Sequence, residues 1–238
     1  MTVDLLWCDG TWSTPTAHSA VSEALRKRLA GTDIRFVYVD YPAQFGPATD
    51  VDDIAPAESV SAGMVALRDA VRATPHLVMV GGYSLGAMVA IAYAREILPA
   101  DPAAEVLAVA ALGNPHQLVH LGRSGIAGAL SVPRPLLSVY APGDPIADLP
   151  LGSPLRSIAD LTAWMSIRSP EANRRWAADI VERVARQRAQ SWWAPWRWAD
   201  LATAGRYAAG YLGTAHTTDY ITGGHVDRLV ARMMEVAS

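Results

Sequence analysis

The chain has 238 residues, a net charge of −3 and a single cysteine, Cys8. That length suits one α/β domain with an insertion, the near-neutral charge without a basic stripe argues against nucleic acid as a partner, and one cysteine excludes an intrachain disulfide and reads as a small buried hydrophobe. No apolar run approaches the roughly 20 residues that span a bilayer, and the opening MTVDLLWCDGTW places an acid where a secretory signal carries bases, so synthesis in a reducing cytoplasm is expected.

Residues 3–8 form the first predicted strand, and HSAVSEALRKRL (18–29) an amphipathic helix. IRFVYV (34–39), rich in β-branched and aromatic residues, is a second strand. A polar, proline-bearing loop (41–56) leads to a helix over 58–73. LVMVGGYSLGAMVA (77–90) then runs as an apolar strand, breaks at Gly81 and Gly82, presents Ser84 and resumes with helical periodicity to about 98. Residues 105–112 and 135–140 are two further strands. Strands alternating with helices predict crossover units and a mostly parallel sheet covered on both faces.

After 150 no strand pattern is visible, and helices are expected over 161–167, 171–188 and 198–212, followed by a terminal helix over 226–236. The chain therefore divides into a core, 1–150 with 213–238, and a helical, tryptophan-rich insertion over 151–212 that could serve as linker or lid. The insertion holds six of the eight tryptophans. Trp164 and Trp176 fit either core packing or a binding surface. Four indoles crowd into SWWAPWRW, too many for one core, so Trp192, Trp193 and Trp196 are candidates for an exposed apolar binding surface.

Glycine two residues before and after Ser84, at Gly82 and Gly86, is the pattern of a nucleophile elbow, in which strand turns to helix so sharply that larger residues collide. A serine hydroxyl becomes nucleophilic only when an imidazole takes its proton and a carboxylate holds that imidazole. The chain order in such folds is serine, acid, histidine. Asp144, in the rigid turn Gly143-Asp144-Pro145 after the 135–140 strand, is the preferred acid over Asp148. His216 is preferred over His225, which sits beside a helix start, while His116 and His120 precede the acid, and His18 and His76 read as surface residues. The amides of Leu85 and Thr11 are the expected oxyanion donors, with Gly10 admitting close backbone approach. Nothing in this chemistry calls for a metal or cofactor.

GYSLG (82–86), LGNPHQ (112–117), YAPGDPIAD (140–148) and AHTTDY (215–220), in that order, resemble the Lysin B family of mycobacteriophage and actinobacteriophage endolysins, relatives of cutinases. The likeness covers nearly the whole chain. It implies a cutinase-like α/β-hydrolase with a helical insertion between acid and histidine. On that view Ser84, Asp144 and His216 match the family triad, the DGTW loop matches its oxyanion loop, and Asn114 lies in a turn near the site. Leu85 stands where the family usually has glutamine, and Asp9 replaces a histidine often found before the glycine of the first loop.

Together these readings predict a serine esterase acting on a long-chain lipid ester, with Trp12, Tyr83, Asn114 and the insertion's tryptophans contacting substrate. The resemblance specifies the ester as mycolic acid on arabinogalactan, a lipid ester of cell-envelope glycan, cleaved once lysis of the host begins. The alternatives are a cytoplasmic carboxylesterase or thioesterase, a cutinase-like lipase, and a binding module that keeps the fold without chemistry.

Overall fold

The computed structural model describes residues 2–101, 103–185 and 214–238. The expected helix over 198–212 and the candidates Trp192, Trp193 and Trp196 lie outside the described residues. Five strands form one sheet in the order β2-β1-β3-β4-β6, every pair parallel. They are β1 (Val3–Cys8), β2 (Ile34–Tyr38), β3 (Leu77–Tyr83), β4 (Val106–Leu112) and β6 (Leu136–Val139). Two short strands, β5 (Arg123–Ser124) and β7 (Leu149–Pro150), pair antiparallel as a separate ribbon.

Both faces of the sheet are buried, so its strands read as continuous apolar runs and the side-chain alternation sorts them into two cores. Leu5 and Trp7 point to one face, packed with α1 (Ala20–Leu29) and the terminal helix, here α7 (His225–Ala237). Leu6 and Cys8 point to the other, packed with α2 (Pro56–Ala73) and α3 (Leu85–Ala92). Cys8 is fully buried, and burial pushes its thiol pKa up, which makes it an inert core residue.

Helix ends follow local chemistry. Ser19 caps α1 by accepting from the Ser22 amide at 3.1 Å, so the helix begins at Ala20 and leaves His18 outside it. His18 is not a surface residue: its ring stacks on Tyr38 at 3.5 Å between centroids, and its side chain is 17% exposed. His76 is half-buried and lies 3.3 Å from Asp4. Pro56 opens α2, where a missing amide hydrogen costs nothing. The apolar helix after Ser84 continues past Ala92 as one wide turn (Tyr93–Ile97).

In the described part of the insertion, α4 spans Arg156–Thr162 and α5 spans Pro170–Ala185. The first helix thus lies earlier than the expected 161–167. The cause is Arg156, buried and donating to the carbonyls of Gly125, Ser124, Leu149 and Pro150, which fastens the start of α4 to the β5–β7 ribbon. Burial lowers its pKa, Asp160 opposes that shift, and four carbonyls accept its hydrogen bonds. The insertion also grips the start of α2, where the Ala57 amide donates to Ala163 O. A final short helix, α6 (Thr218–Thr222), was not foreseen from the sequence. No described helix is long and apolar enough to cross a membrane.

Candidate active site

In strand order, β1 lies between β2 and β3, so the chain leaves β1 in one direction and returns on the other side. Open parallel sheets bind ligands where such a reversal leaves a crevice at the carboxyl ends of the strands. Here the crevice lies between the loop after β1 (Asp9 to Trp12) and the turn after β3 (Ser84).

Ser84 has φ 55° and ψ −117°, outside the relaxed regions for a residue with a side chain. The elbow is forced by close packing. A Cβ on Gly86 would lie 2.0 Å from Cys8 O, and one on Gly82 would lie 2.2 Å from the Gly86 carbonyl carbon. Both glycines are therefore steric requirements of the turn.

His216 Nε2 lies 2.8 Å from Ser84 Oγ. Its Nδ1 lies 2.9 Å from both carboxylate oxygens of Asp144. A carboxylate only accepts, so Nδ1 carries the proton and Nε2 presents its lone pair to the serine hydroxyl. Asp144 is fully buried and His216 nearly so.

The rivals are elsewhere. Asp148 accepts from Arg123 Nε at 2.6 Å, from the Gly143 amide at 2.7 Å and faces His120 Nε2 at 2.9 Å. Burial alone would raise its pKa, but Arg123 and the Gly143 amide hold it below the usual carboxylate range. Asp148 thus braces the turn that carries Asp144. His225 opens α7 as a buried core residue whose pKa is lowered by burial and then by Arg228.

The amides near Ser84 can be sorted by their partners. In the loop after β1, the Gly10 amide donates to Asp9 Oδ1, the Trp12 amide to Ala43 O and the Ser13 amide to Gly10 O. The Thr11 amide has no partner among the described residues, and neither has that of Leu85 at the start of α3, where helix geometry leaves amides unpaired. Asp9, unremarked in the sequence beyond its departure from a family pattern, is what orders this loop. It is buried, and its oxygens accept from the Gly10 amide (2.7 Å), the Ser19 amide (2.7 Å) and the hydroxyls of Ser19 and Ser22 (both 2.6 Å). Tyr41 fixes its carbonyl at 2.6 Å.

Ser84 opens onto an apolar groove of about 890 Å³. The groove runs along α3 past Met88 and Ala92 to the exposed Arg95 and Glu96, with Val60 and Met64 of α2 on one wall and Ile126, Ile146 and Leu155 on another. Thr11, Leu85 and Trp12 line it; Trp12 has φ 68° and is 60% exposed. Trp164 lines it too, with the Arg175 guanidinium 3.4 Å over its ring. Trp176 instead donates to Leu161 O at 2.8 Å. His116 also faces the groove, and burial lowers its pKa.

Two expectations fail. Tyr83 does not line the groove: it is buried, stacks on the His216 ring at 5.2 Å and donates its hydroxyl to the His216 carbonyl. Asn114 does not reach it either. It is fully buried, its Oδ1 accepting from the His116 amide at 2.8 Å, so it shapes the turn after β4. The three-residue pattern of an asparagine-led turn accounts for this.

A family model for cutinase matches residues 9–151, which include Ser84, Asp144 and the loop after β1. The chain belongs to the cutinase family. Membership, with the geometry above, makes it a serine carboxylic ester hydrolase. Among solved structures, this cutinase-family chain is similar to lysin B from Mycobacteriophage D29, at 16% identity over 90% of this chain and 91% of that one, with TM-score 0.55. It is also similar to the catalytic core domain of acetyl xylan esterase from Trichoderma reesei, at 16% identity over 76% and 98%, TM-score 0.47. A cutinase-like protein from Cryptococcus sp. matches at 21% identity over 62% and 79%, TM-score 0.45. No curated protein matches the sequence.

Proposed function

We propose that this cutinase-family esterase cleaves long-chain acyl esters by acyl transfer through Ser84. His216 takes the Ser84 proton as Oγ bonds to the ester carbonyl carbon. The carbonyl oxygen, now charged, is held by the Leu85 and Thr11 amides, each contributing about 3 kcal/mol to the transition state. As the tetrahedral species collapses, His216 gives its proton to the leaving alcohol. Water then attacks the acyl carbon as His216 takes its proton; when this second tetrahedral species collapses, the bond to Ser84 Oγ breaks, His216 returns the proton to Oγ, and the carboxylic acid leaves. Asp144 holds the imidazole and stabilises its charged form throughout.

The apolar groove beside Ser84 carries the choice of a long acyl chain, since its volume sits at the upper end of the roughly 300–1,000 Å³ of small-molecule sites. The motif resemblance to the Lysin B family supplies the rest of the proposal: the ester is mycolyl-arabinogalactan, hydrolysed in the lysis of a mycolate-bearing host. Purified enzyme incubated with extracted mycolyl-arabinogalactan should release free fatty acid, and Ser84→Ala should lower kcat on the order of a millionfold while folding normally. Hydrolysis confined to acetyl and butyryl esters would refute the long-chain reading.

A further inference from the structure

We propose that two buried tyrosines, Tyr83 and Tyr220, act as a hydroxyl clamp that positions the imidazole of His216 and the carboxylate of Asp144; this rests on the triad proposed above. His216 lies in a turn (214–217), where the Thr217 and Asp219 amides donate to Thr214 O. Two tyrosines from separate elements hold the base and its acid.

Tyr220 sits on α6, just beyond the turn that carries His216, and its ring meets the imidazole edge-on at 6.3 Å and 88°. It is fully buried, and its hydroxyl donates to Asp144 Oδ2 at 2.5 Å. The Ile146 amide donates to Oδ1 at 2.8 Å. With His216 Nδ1 facing both oxygens, the carboxylate is fixed from three directions. Burial and the Asp144 charge push the Tyr220 phenol pKa up, so it stays a proton donor across the working range.

Tyr83 precedes the nucleophile on β3 and ties its hydroxyl to the His216 carbonyl, so the strand that aims Ser84 also anchors the backbone of its base. Its ring lies nearly parallel to the imidazole, at 23°. Room for the three rings comes from Gly113 at the end of β4. A Cβ there would lie 3.0 Å from His216 Cε1, 3.3 Å from Tyr83 and 3.4 Å from the Tyr220 hydroxyl. A buried hydroxyl without a partner is costly, and here both partners belong to the site itself. Neither tyrosine touches substrate; both are positioning residues.

The direction of the effect follows from charge. The Tyr220 donor draws electron density from the carboxylate and weakens its hold on the imidazole proton. Without that donor the base keeps its proton to higher pH, and the acid limb of kcat/KM moves up. Among the described residues, His225 on α7 is a further titratable group beside this cluster, 5.8 Å from the Tyr220 ring, and Arg228 and Asp219 act on it in turn.

The test measures kinetics per site titrated with a nitrophenyl phosphonate, so that only folded sites count. Tyr220→Phe should lower kcat about tenfold, less than the roughly hundredfold loss that a 1 Å misplacement causes. KM should stay unchanged and the acid limb should shift up by several tenths of a pH unit. Tyr83→Phe should lower kcat without moving the limb. Native kcat and KM in either variant overturns the clamp, as does a Tyr220→Phe loss proportional to lost sites with the limb in place. Asp144→Asn is the control. If it retains full rate, the triad itself is wrong; if it is inactive while both tyrosine variants are native, only the clamp is wrong.

Discussion

Ala92→Phe should turn a long-chain esterase into a short-chain one. Ala92 lines the groove at the end of α3, seven residues beyond Leu85, a rise of about 10 Å at 1.5 Å per residue. An extended alkyl chain advances about 1.3 Å per carbon, given bonds of about 1.5 Å at tetrahedral angles. About eight carbons therefore reach Ala92, and in a palmitoyl ester about eight more lie beyond it. Full burial of those would contribute about 0.8 kcal/mol per methylene. The groove opens to solvent at Arg95 and Glu96, so half burial is the fairer figure, about 3 kcal/mol or roughly a hundredfold in kcat/KM. A phenyl ring at 92 should remove that gain for palmitoyl and leave butyryl unaffected. The assay is hydrolysis of nitrophenyl esters from acetyl to palmitoyl, with thermal unfolding to verify the fold. Equal losses on butyryl and palmitoyl, or no loss on palmitoyl, would refute the groove as the acyl site.

Two other substitutions probe the scaffold. Asp9→Asn keeps the shape of the side chain but removes the charged acceptor of four hydrogen bonds, and should cost about 2–3 kcal/mol, read as a fall of several degrees in Tm; kcat should fall with KM little changed, because the loop carrying the Thr11 amide loosens. Asp4 tests pH dependence. Burial alone would raise its pKa, but bonds from Arg35, Thr74 and His76 outweigh this and hold it below the ordinary range. A lowered folded pKa stabilises the protein fully above the ordinary carboxylate value, and that stability is lost as pH falls below about 4. Denaturant midpoints of Asp4→Asn should therefore fall less steeply than those of the native chain on acidification; parallel curves would refute the assignment.

Local sequence was enough to place the parallel strands, the elbow and the order Ser84, Asp144, His216. Strand and helix periods are properties of neighbouring residues, and Gly82 and Gly86 announce a turn in which nothing larger fits. The Thr11 and Leu85 amides, proposed as oxyanion donors, lie just past the ends of β1 and β3. Tyr83 and Asn114 were misplaced because a buried polar residue beside a site looks, in sequence, like one that faces the ligand. Only packing shows which way a side chain turns.

What the sequence by itself determined was therefore the chemistry: which groups a sheet edge would carry, and in what order. Tertiary structure decided which carboxylate reaches the imidazole. Asp148, four residues past Asp144, is taken up by Arg123 and His120, partners more than twenty residues away. It also decided how the groove is walled and that Arg156 fastens α4 to the β5–β7 ribbon. Such contacts join residues distant along the chain, and no local pattern encodes a separation that only folding closes.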